Sequence, residues 1–142
     1  MKKTFNLKTF ILSLFLMAGT TAVFAQCDKA ATFTASVSTY LNDKSDIEKT
    51  KNEETIVKLD KKEISIITNG RIELAGAIKS YTCNWADPFK TGKTIVSTTM
   101  VDGGNELHCL ITIEGKEGKV TLAFEAAEMP GKKIVLVANK FE

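Results

Sequence analysis

Residues 106–126 read ELHCLITIEGKEGKVTLAFEA, and this stretch decides the fold class. Apolar side chains occupy every second position in its two halves, at Leu107, Cys109, Ile111 and Ile113 and again at Val120, Leu122, Phe124 and Ala126. A period of two residues places alternate side chains on opposite faces of a β-strand. The glycine-bounded run 115–118 between the halves is typical of a turn. The stretch therefore predicts two antiparallel strands, each with one buried face.

The same signals recur along the rest of the chain. Six more strands are predicted, at Thr32 to Leu41, Thr55 to Leu59, Lys62 to Thr68, Ile72 to Ile78, Thr94 to Val101 and Ile134 to Ala138. The last of these is continuously apolar and is expected to be buried on both faces. About eight antiparallel strands with short connections predict an all-β, up-and-down barrel, with a β-sandwich as the alternative. The barrel is favoured because closure removes exposed edges.

Two stretches break the regular pattern. Residues 42–54 (NDKSDIEKTKNEE) are almost entirely polar, which favours a mobile charged loop over strand. The alternative there is a short surface helix, since Ser45 and Glu48 have the spacing of a capping box. Between Ile72 and Trp85 the apolar residues change from even to odd positions. That change predicts a β-bulge between Lys79 and Tyr81.

The Asn69-Gly70 pair marks a hairpin turn. A three-residue loop over 68–70 would pair Ile66 with Ile72 and so bring the apolar faces of the two strands together. A two-residue loop would instead pair Ile66 with Glu73. The three-residue loop is therefore expected, with Gly70 in the left-handed conformation that glycine adopts at least cost.

The N-terminus has the form of a signal peptide over residues 1–25. Its lysines precede the apolar run 10–18 (FILSLFLMA), and Val23-Phe24-Ala25 fits a cleavage site. The remaining chain, 26–142, is expected to form a single domain that is exported to a bacterial periplasm or the extracellular space. A lipid anchor at Cys27 is the rival interpretation, and it is disfavoured because the bulky Gln26 precedes that cysteine. No second apolar stretch long enough to span a membrane follows.

The charge balance excludes one class of partner. The chain has 19 basic and 17 acidic residues, but three of the lysines lie in the predicted signal peptide. The remaining chain is close to neutral, and Arg71 is its one arginine. A surface of this kind offers no basic patch for nucleic acid, so no nucleic-acid partner is expected.

Three cysteines in an exported chain allow one internal disulfide. Cys83 and Cys109 are the predicted pair, because both lie in strands on faces expected to be buried. In a simple meander one strand would separate them by about 9.6 Å, beyond the roughly 7 Å that a disulfide bridges. The pair therefore requires a bend at Cys83 or a sandwich. If neither holds, Cys27 is expected to bridge to one of the other two.

Catalytic and metal-binding patterns are not found in the sequence. His108 is the single histidine, and it neighbours Cys109, but successive residues of a strand point to opposite faces. The cysteines are scattered rather than spaced as zinc ligands. The sequence contains no motif of a catalytic serine nucleophile, of a metalloprotease or of a phosphate-binding loop. We therefore expect no enzyme activity, no metal site and no cofactor.

The segment 81–89 (YTCNWADPF) is the most unusual stretch, since it holds the single tryptophan. It fits either an aromatic lip over a ligand cavity or a core plug in which Tyr81, Cys83 and Trp85 share one face. The candidate ligand-binding residues are Tyr81, Trp85, Phe89, Met100 and Phe124. The function expected is a binding module for a small apolar ligand, because a barrel of eight strands has about the size to hold one. The alternative is a structural or protein–protein interaction domain with a fully packed core.

Overall fold

The computed structural model describes residues 26–142, so the predicted signal peptide lies outside the described residues. The strands are β1 (Ala31–Leu41), β2 (Ile47–Leu59), β3 (Glu63–Thr68), β4 (Arg71–Asp87), β5 (Thr91–Asp102), β6 (Asn105–Lys116), β7 (Lys119–Ala126), β8 (Lys133–Val137) and β9 (Lys140–Phe141). Residues 26–142 contain no helix. All eight predicted strands are present, but β2 begins at Ile47 rather than Thr55 and β4 extends to Asp87 rather than Ile78, whereas the other ends differ little.

The strands form a closed antiparallel barrel. Each strand from β1 to β8 pairs with the next, and β8 returns to β1, where Leu136 lies opposite Ser38. The short β9 occupies the same side of β1 nearer its start, with Phe141 opposite Phe33. The predicted up-and-down barrel is therefore confirmed, and the sandwich is not formed. Closure provides every barrel strand with two neighbours, so no long edge is left unpaired.

The polar stretch 42–54 is neither a loop nor a helix over most of its length. A turn ends at Asp46, where the Asn42 side chain accepts hydrogen bonds from two backbone N–H groups, and β2 begins at Ile47. From there the strand pairs with β1, with Lys49 opposite Tyr40 and Lys51 opposite Ser38. The expectation was wrong because pairing with β1 satisfies the backbone, which composition alone does not reveal.

The apolar run in β8 is buried on one face only. Leu136 is 4% exposed, whereas Val137 is 46% exposed. Burial on both faces was expected by analogy with parallel sheets, which are covered on both sides. The outer face of this barrel has no covering layer in the described chain, so that expectation was wrong.

Irregularities in strand pairing redirect several side chains. The predicted bulge in β4 is confirmed to within one residue, since the register shifts between Ile78 and Ser80. A second shift lies in the β1–β2 ladder after Ala35. Beyond it Ser38 is buried and Val37 is 38% exposed, although a regular alternation from Phe33 and Ala35 would place Val37 on the buried face.

The hairpin between β3 and β4 uses a two-residue turn, so the expected three-residue loop was wrong. Asn69 and Gly70 have φ angles of 48° and 79°, and Thr68 pairs with Arg71. The mismatch of faces is instead corrected by an extra residue in β4, Glu73, after which Ile66 pairs with Leu74. A bulge thus achieves the alignment that the longer loop was expected to provide.

The disulfide joins Cys27 to Cys83, and the preferred pairing of Cys83 with Cys109 was wrong. Cys83 lies in regular pairing with Thr94 of β5, which separates it from β6 and Cys109. Neither condition for the preferred pair is met, so the alternative bridge from Cys27 is formed. Cys109 is a buried free thiol.

Aromatic side chains fill one end of the barrel, which we call the closed end. Trp85 is completely buried, and its indole N–H donates to Thr94 Oγ1 at 2.8 Å. The ring of Phe141 packs 5.4 Å from Trp85, 5.1 Å from Phe89 and 6.1 Å from Phe33, measured between centroids. The C-terminal strand β9 thereby completes the plug of this end.

We predict that Gly115→Ala destabilises the protein more than Gly70→Ala. A Cβ at Gly115 would lie 2.6 Å from both the Lys90 carbonyl oxygen and Trp85 Cζ3, which overpacks the closed end at a cost of about 1–3 kcal/mol. A Cβ at Gly70 meets no atom within 4 Å, so only its positive φ is penalised, at about 1 kcal/mol. Urea unfolding followed by tryptophan fluorescence measures both. Equal losses would contradict the close packing around Trp85.

We also predict that Cys27→Ser lowers the free energy of unfolding by roughly 4 kcal/mol. Its disulfide spans 56 residues, and a cross-link of that length restricts the unfolded chain by about this amount in the chain-entropy model. Non-reducing peptide mapping should find Cys27 linked to Cys83. A Cys83–Cys109 peptide, or an unchanged urea midpoint, would refute the connectivity.

Candidate functional site

The end of the barrel opposite Trp85 is open and contains a cavity of about 350 Å³, which we call the open-end cavity. Its walls come from all eight barrel strands together with the β7–β8 connection. The lining residues are Ser38, Tyr40, Lys51, Glu53, Thr55, Val57, Ile66, Thr68, Glu73, Leu74, Asp102, Leu107, Leu122, Phe124, Met129, Ile134 and Leu136.

The floor of the open-end cavity is apolar. Val57, Leu122, Phe124 and Leu136 are each no more than 5% exposed, and Ile66, Leu74, Leu107 and Ile134 pack partly buried against the core. These side chains occupy inward positions of their strands, as the alternation predicts. The cavity therefore presents an apolar surface of fixed shape to whatever enters it.

The rim is polar, because the inward-facing side chains of β2 change from apolar to polar along the strand. Its inward positions are apolar near the closed end, at Val57 and Leu59, and become polar towards the mouth, at Thr55, Glu53 and Lys51. The shifted register of β1 adds Ser38 and Tyr40 to the same wall. The bulge in β4 adds Glu73. Pairing irregularities commonly redirect side chains at barrel rims in this way.

Three carboxylates and one amine line the mouth. Glu53, Glu73 and Asp102 come from three different strands. The Tyr40 hydroxyl donates to Glu53 Oε1 at 3.4 Å, and Lys51 Nζ lies 5.2 Å from the centroid of the Tyr40 ring. Within residues 26–142 none of the three carboxylates forms an ion pair. The lining thus carries an excess of negative charge.

The residues predicted to bind a ligand do not all lie together. Phe124 lines the open-end cavity, whereas Trp85 and Phe89 belong to the plug at the closed end. Tyr81 is half-buried beside the core, and burial raises the pKa of its hydroxyl. Met100 is completely buried and does not line the cavity. The segment 81–89 is therefore a plug rather than a lip at this mouth.

His108 and Cys109 point to opposite faces of β6, as expected. Cys109 is buried, while the His108 side chain is 57% exposed and its Nδ1 lies 2.6 Å from Glu128 Oε1. The hydrogen bonds with His108 hold the pKa of the Glu128 carboxyl below its usual value. The histidine consequently secures the β7–β8 connection and forms no dyad with the thiol.

Within residues 26–142 no group of three potential metal ligands is assembled. Nor does that part of the chain include a helix with the length and apolarity needed to cross a bilayer.

Comparison with known proteins finds no relative of this chain. No family model, no curated protein and no solved structure matches it significantly. The function must therefore be argued from the cavity and its lining.

Most of the polar residues at the rim of the open-end cavity were not predicted from the sequence. Lys51, Glu53 and Thr55 share the odd positions of Val57 and Leu59, so extending that alternation backwards would have placed them inside the barrel. The polar composition of residues 42–54 hid this signal. For Ser38 and Glu73 no sequence signal existed, because their orientation depends on register shifts.

We predict that Cys109 reacts slowly with iodoacetamide at pH 8 in the folded protein and rapidly in urea. Burial, followed by the nearby Glu128 carboxylate, raises the pKa of its thiol from 9.0 to about 11. The unfolded chain therefore loses this proton at lower pH than the folded chain, so stability should fall as pH rises from 9 to 11. The Cys109→Ala variant should therefore lose less folding stability than the wild type over this pH range. Fast labelling of the folded protein would contradict the burial.

Proposed function

We propose that this protein is an exported binding module whose barrel holds one small apolar ligand. The observation that supports it is the open-end cavity, with its volume of about 350 Å³ and its apolar floor. Small-molecule sites in proteins have volumes of roughly 300–1,000 Å³ and combine apolar walls with a few polar groups. The open-end cavity meets both criteria.

The distribution of packing supports the same proposal. The closed end is filled by Trp85, Phe141 and their neighbours, so that end of the core is packed without a ligand. A ligand would remove the apolar floor from water, which is worth about 25 cal/mol per Å². Because the floor side chains are held by the strands, little ordering would oppose binding.

Export is part of the proposal. The Cys27–Cys83 disulfide supports it, since such bonds form and persist mainly in oxidising compartments. Catalysis is not part of the proposal. A structural or protein–protein interaction domain remains the competing function, and it predicts that the cavity binds nothing.

The first experiment is titration of the purified protein with octanol in a calorimeter, together with mass spectrometry of an organic extract. We expect octanol to bind and the extract to contain a small apolar compound. Leu107→Trp, which narrows the cavity, should weaken octanol binding roughly tenfold or more. Leu110→Trp is the matched control, because Leu110 lies on the same strand and is 43% exposed on the outer face.

A second blocking variant, Thr68→Trp, covers the case in which Leu107→Trp fails to fold. Thermal unfolding verifies the fold of each variant. The proposal is abandoned if octanol does not bind and the extract is empty. It is equally abandoned if folded blocking variants bind octanol as the wild type does.

A further inference from the structure

The charges at the mouth of the open-end cavity distinguish between classes of ligand. Glu53, Glu73 and Asp102 line it against the single amine of Lys51. These carboxylates have no ion-pair partner within the described chain, 26–142. A cleft lined by one sign of charge, with apolar walls beneath, concentrates ligands of the opposite sign.

The Tyr40 ring lies beside two lysine amines of the protein itself. Lys51 Nζ and Lys49 Nζ lie 5.2 Å and 5.9 Å from its centroid, which is the distance range of cation–π contacts. The part of Tyr40 that bears on the rim carboxylates is therefore its hydroxyl. Its hydroxyl donates to Glu53, which orients that carboxylate at the rim.

Two buried hydroxyl groups lie between the rim and the floor. Ser38 is 2% exposed and Thr55 is 4% exposed, and both line the open-end cavity. Neither side chain hydrogen-bonds to another residue among those described. Within residues 26–142 the side-chain oxygen that is completely buried without a partner is Thr99 Oγ1, so the hydroxyl oxygens of Ser38 and Thr55 remain accessible from the cavity. Both hydroxyls are therefore free to hydrogen-bond to a polar group of a ligand at this depth.

The hydrogen-bonding chemistry of the lining narrows that polar group. Ionised carboxylates only accept hydrogen bonds, and hydroxyls both accept and donate. An ammonium group donates three hydrogen bonds and accepts none, so it complements this set. A carboxylate head group would be repelled by the three rim carboxylates, with Lys51 as the one cation of the lining to attract it.

We infer that the ligand is a single-chain cationic amphiphile of the alkylammonium class. Its alkyl chain lies on the floor against Leu122 and Phe124. Its ammonium group lies at the level of Ser38 and Thr55 and faces the rim carboxylates. The inference rests on the proposed function and adds the head group to it.

Calorimetric titration with octylammonium, octanol and octanoate at neutral pH tests this inference, because the three probes share one chain length. We expect octylammonium to bind about tenfold more tightly than octanol, and octanoate to bind most weakly. Raising the salt concentration should weaken octylammonium binding and leave octanol binding unchanged, since salt screens charge.

Rim variants identify the residues responsible. Glu53→Gln and Asp102→Asn should each weaken octylammonium binding roughly threefold to fivefold, with no effect on octanol. Glu54→Gln is the matched control, because Glu54 neighbours Glu53 but is exposed and does not line the cavity. Circular dichroism and thermal unfolding confirm that each variant is folded.

The outcomes separate the two proposals. Equal binding of octylammonium and octanol, or preferred binding of octanoate, overturns the cationic head group and leaves the binding module intact. Rim variants that weaken octanol and octylammonium alike also overturn it. Absence of binding by all three probes overturns both.

Discussion

The fold depends on apolar side chains that fill one end of the eight-stranded barrel. Trp85 is one of these side chains, and it is completely buried and contacts the backbone of neighbouring strands. A Cβ at Gly92 would collide with the Trp85 Cα, and one at Gly115 would lie 2.6 Å from its ring. Those two positions therefore have no room for a side chain. Glycine at both positions leaves the space that the indole ring occupies between the strands.

Both ends of the described chain converge on this plug. Phe141 packs against Trp85 and Phe89, held by the pairing of β9 with β1. At the other terminus Cys27 is bonded to Cys83, and the Gln26 side chain accepts a hydrogen bond from the Phe89 backbone N–H. The barrel is consequently closed at one end and open at the other.

The polar mouth is produced by irregular strand pairing together with a polar strand. The register shift after Ala35 turns Ser38 inward, and the bulge at Glu73 adds a carboxylate. The polar half of β2 supplies Lys51, Glu53 and Thr55. The charged side chains among them, Lys51, Glu53 and Glu73, are tolerated because the mouth is open to solvent and they remain hydrated there. The cavity consequently has an apolar floor beneath a charged rim.

The sequence by itself determined the positions of eight antiparallel strands, and it favoured a closed barrel while leaving a sandwich as the alternative. Alternation at Leu107 to Ile113 and Val120 to Ala126 is a local signal, and short turns force neighbouring strands to pair. The apolar residues of β4 change from even to odd positions before Tyr81. This change located a bulge, because the apolar residues of both halves of the strand face the same core.

Only the tertiary structure decided which end of the barrel is filled, which cysteines meet and where the cavity lies. Trp85 and Phe124 are equally apolar in sequence, yet one lies in the plug and the other lines the cavity. Cys27 reaches Cys83 across 56 residues, and no local pattern encodes that approach. The strand at 47–54 forms because β1 offers it hydrogen-bond partners along its length. Register shifts and long-range contacts arise from strands meeting in space, so the residues that shape the mouth became visible only in the folded chain.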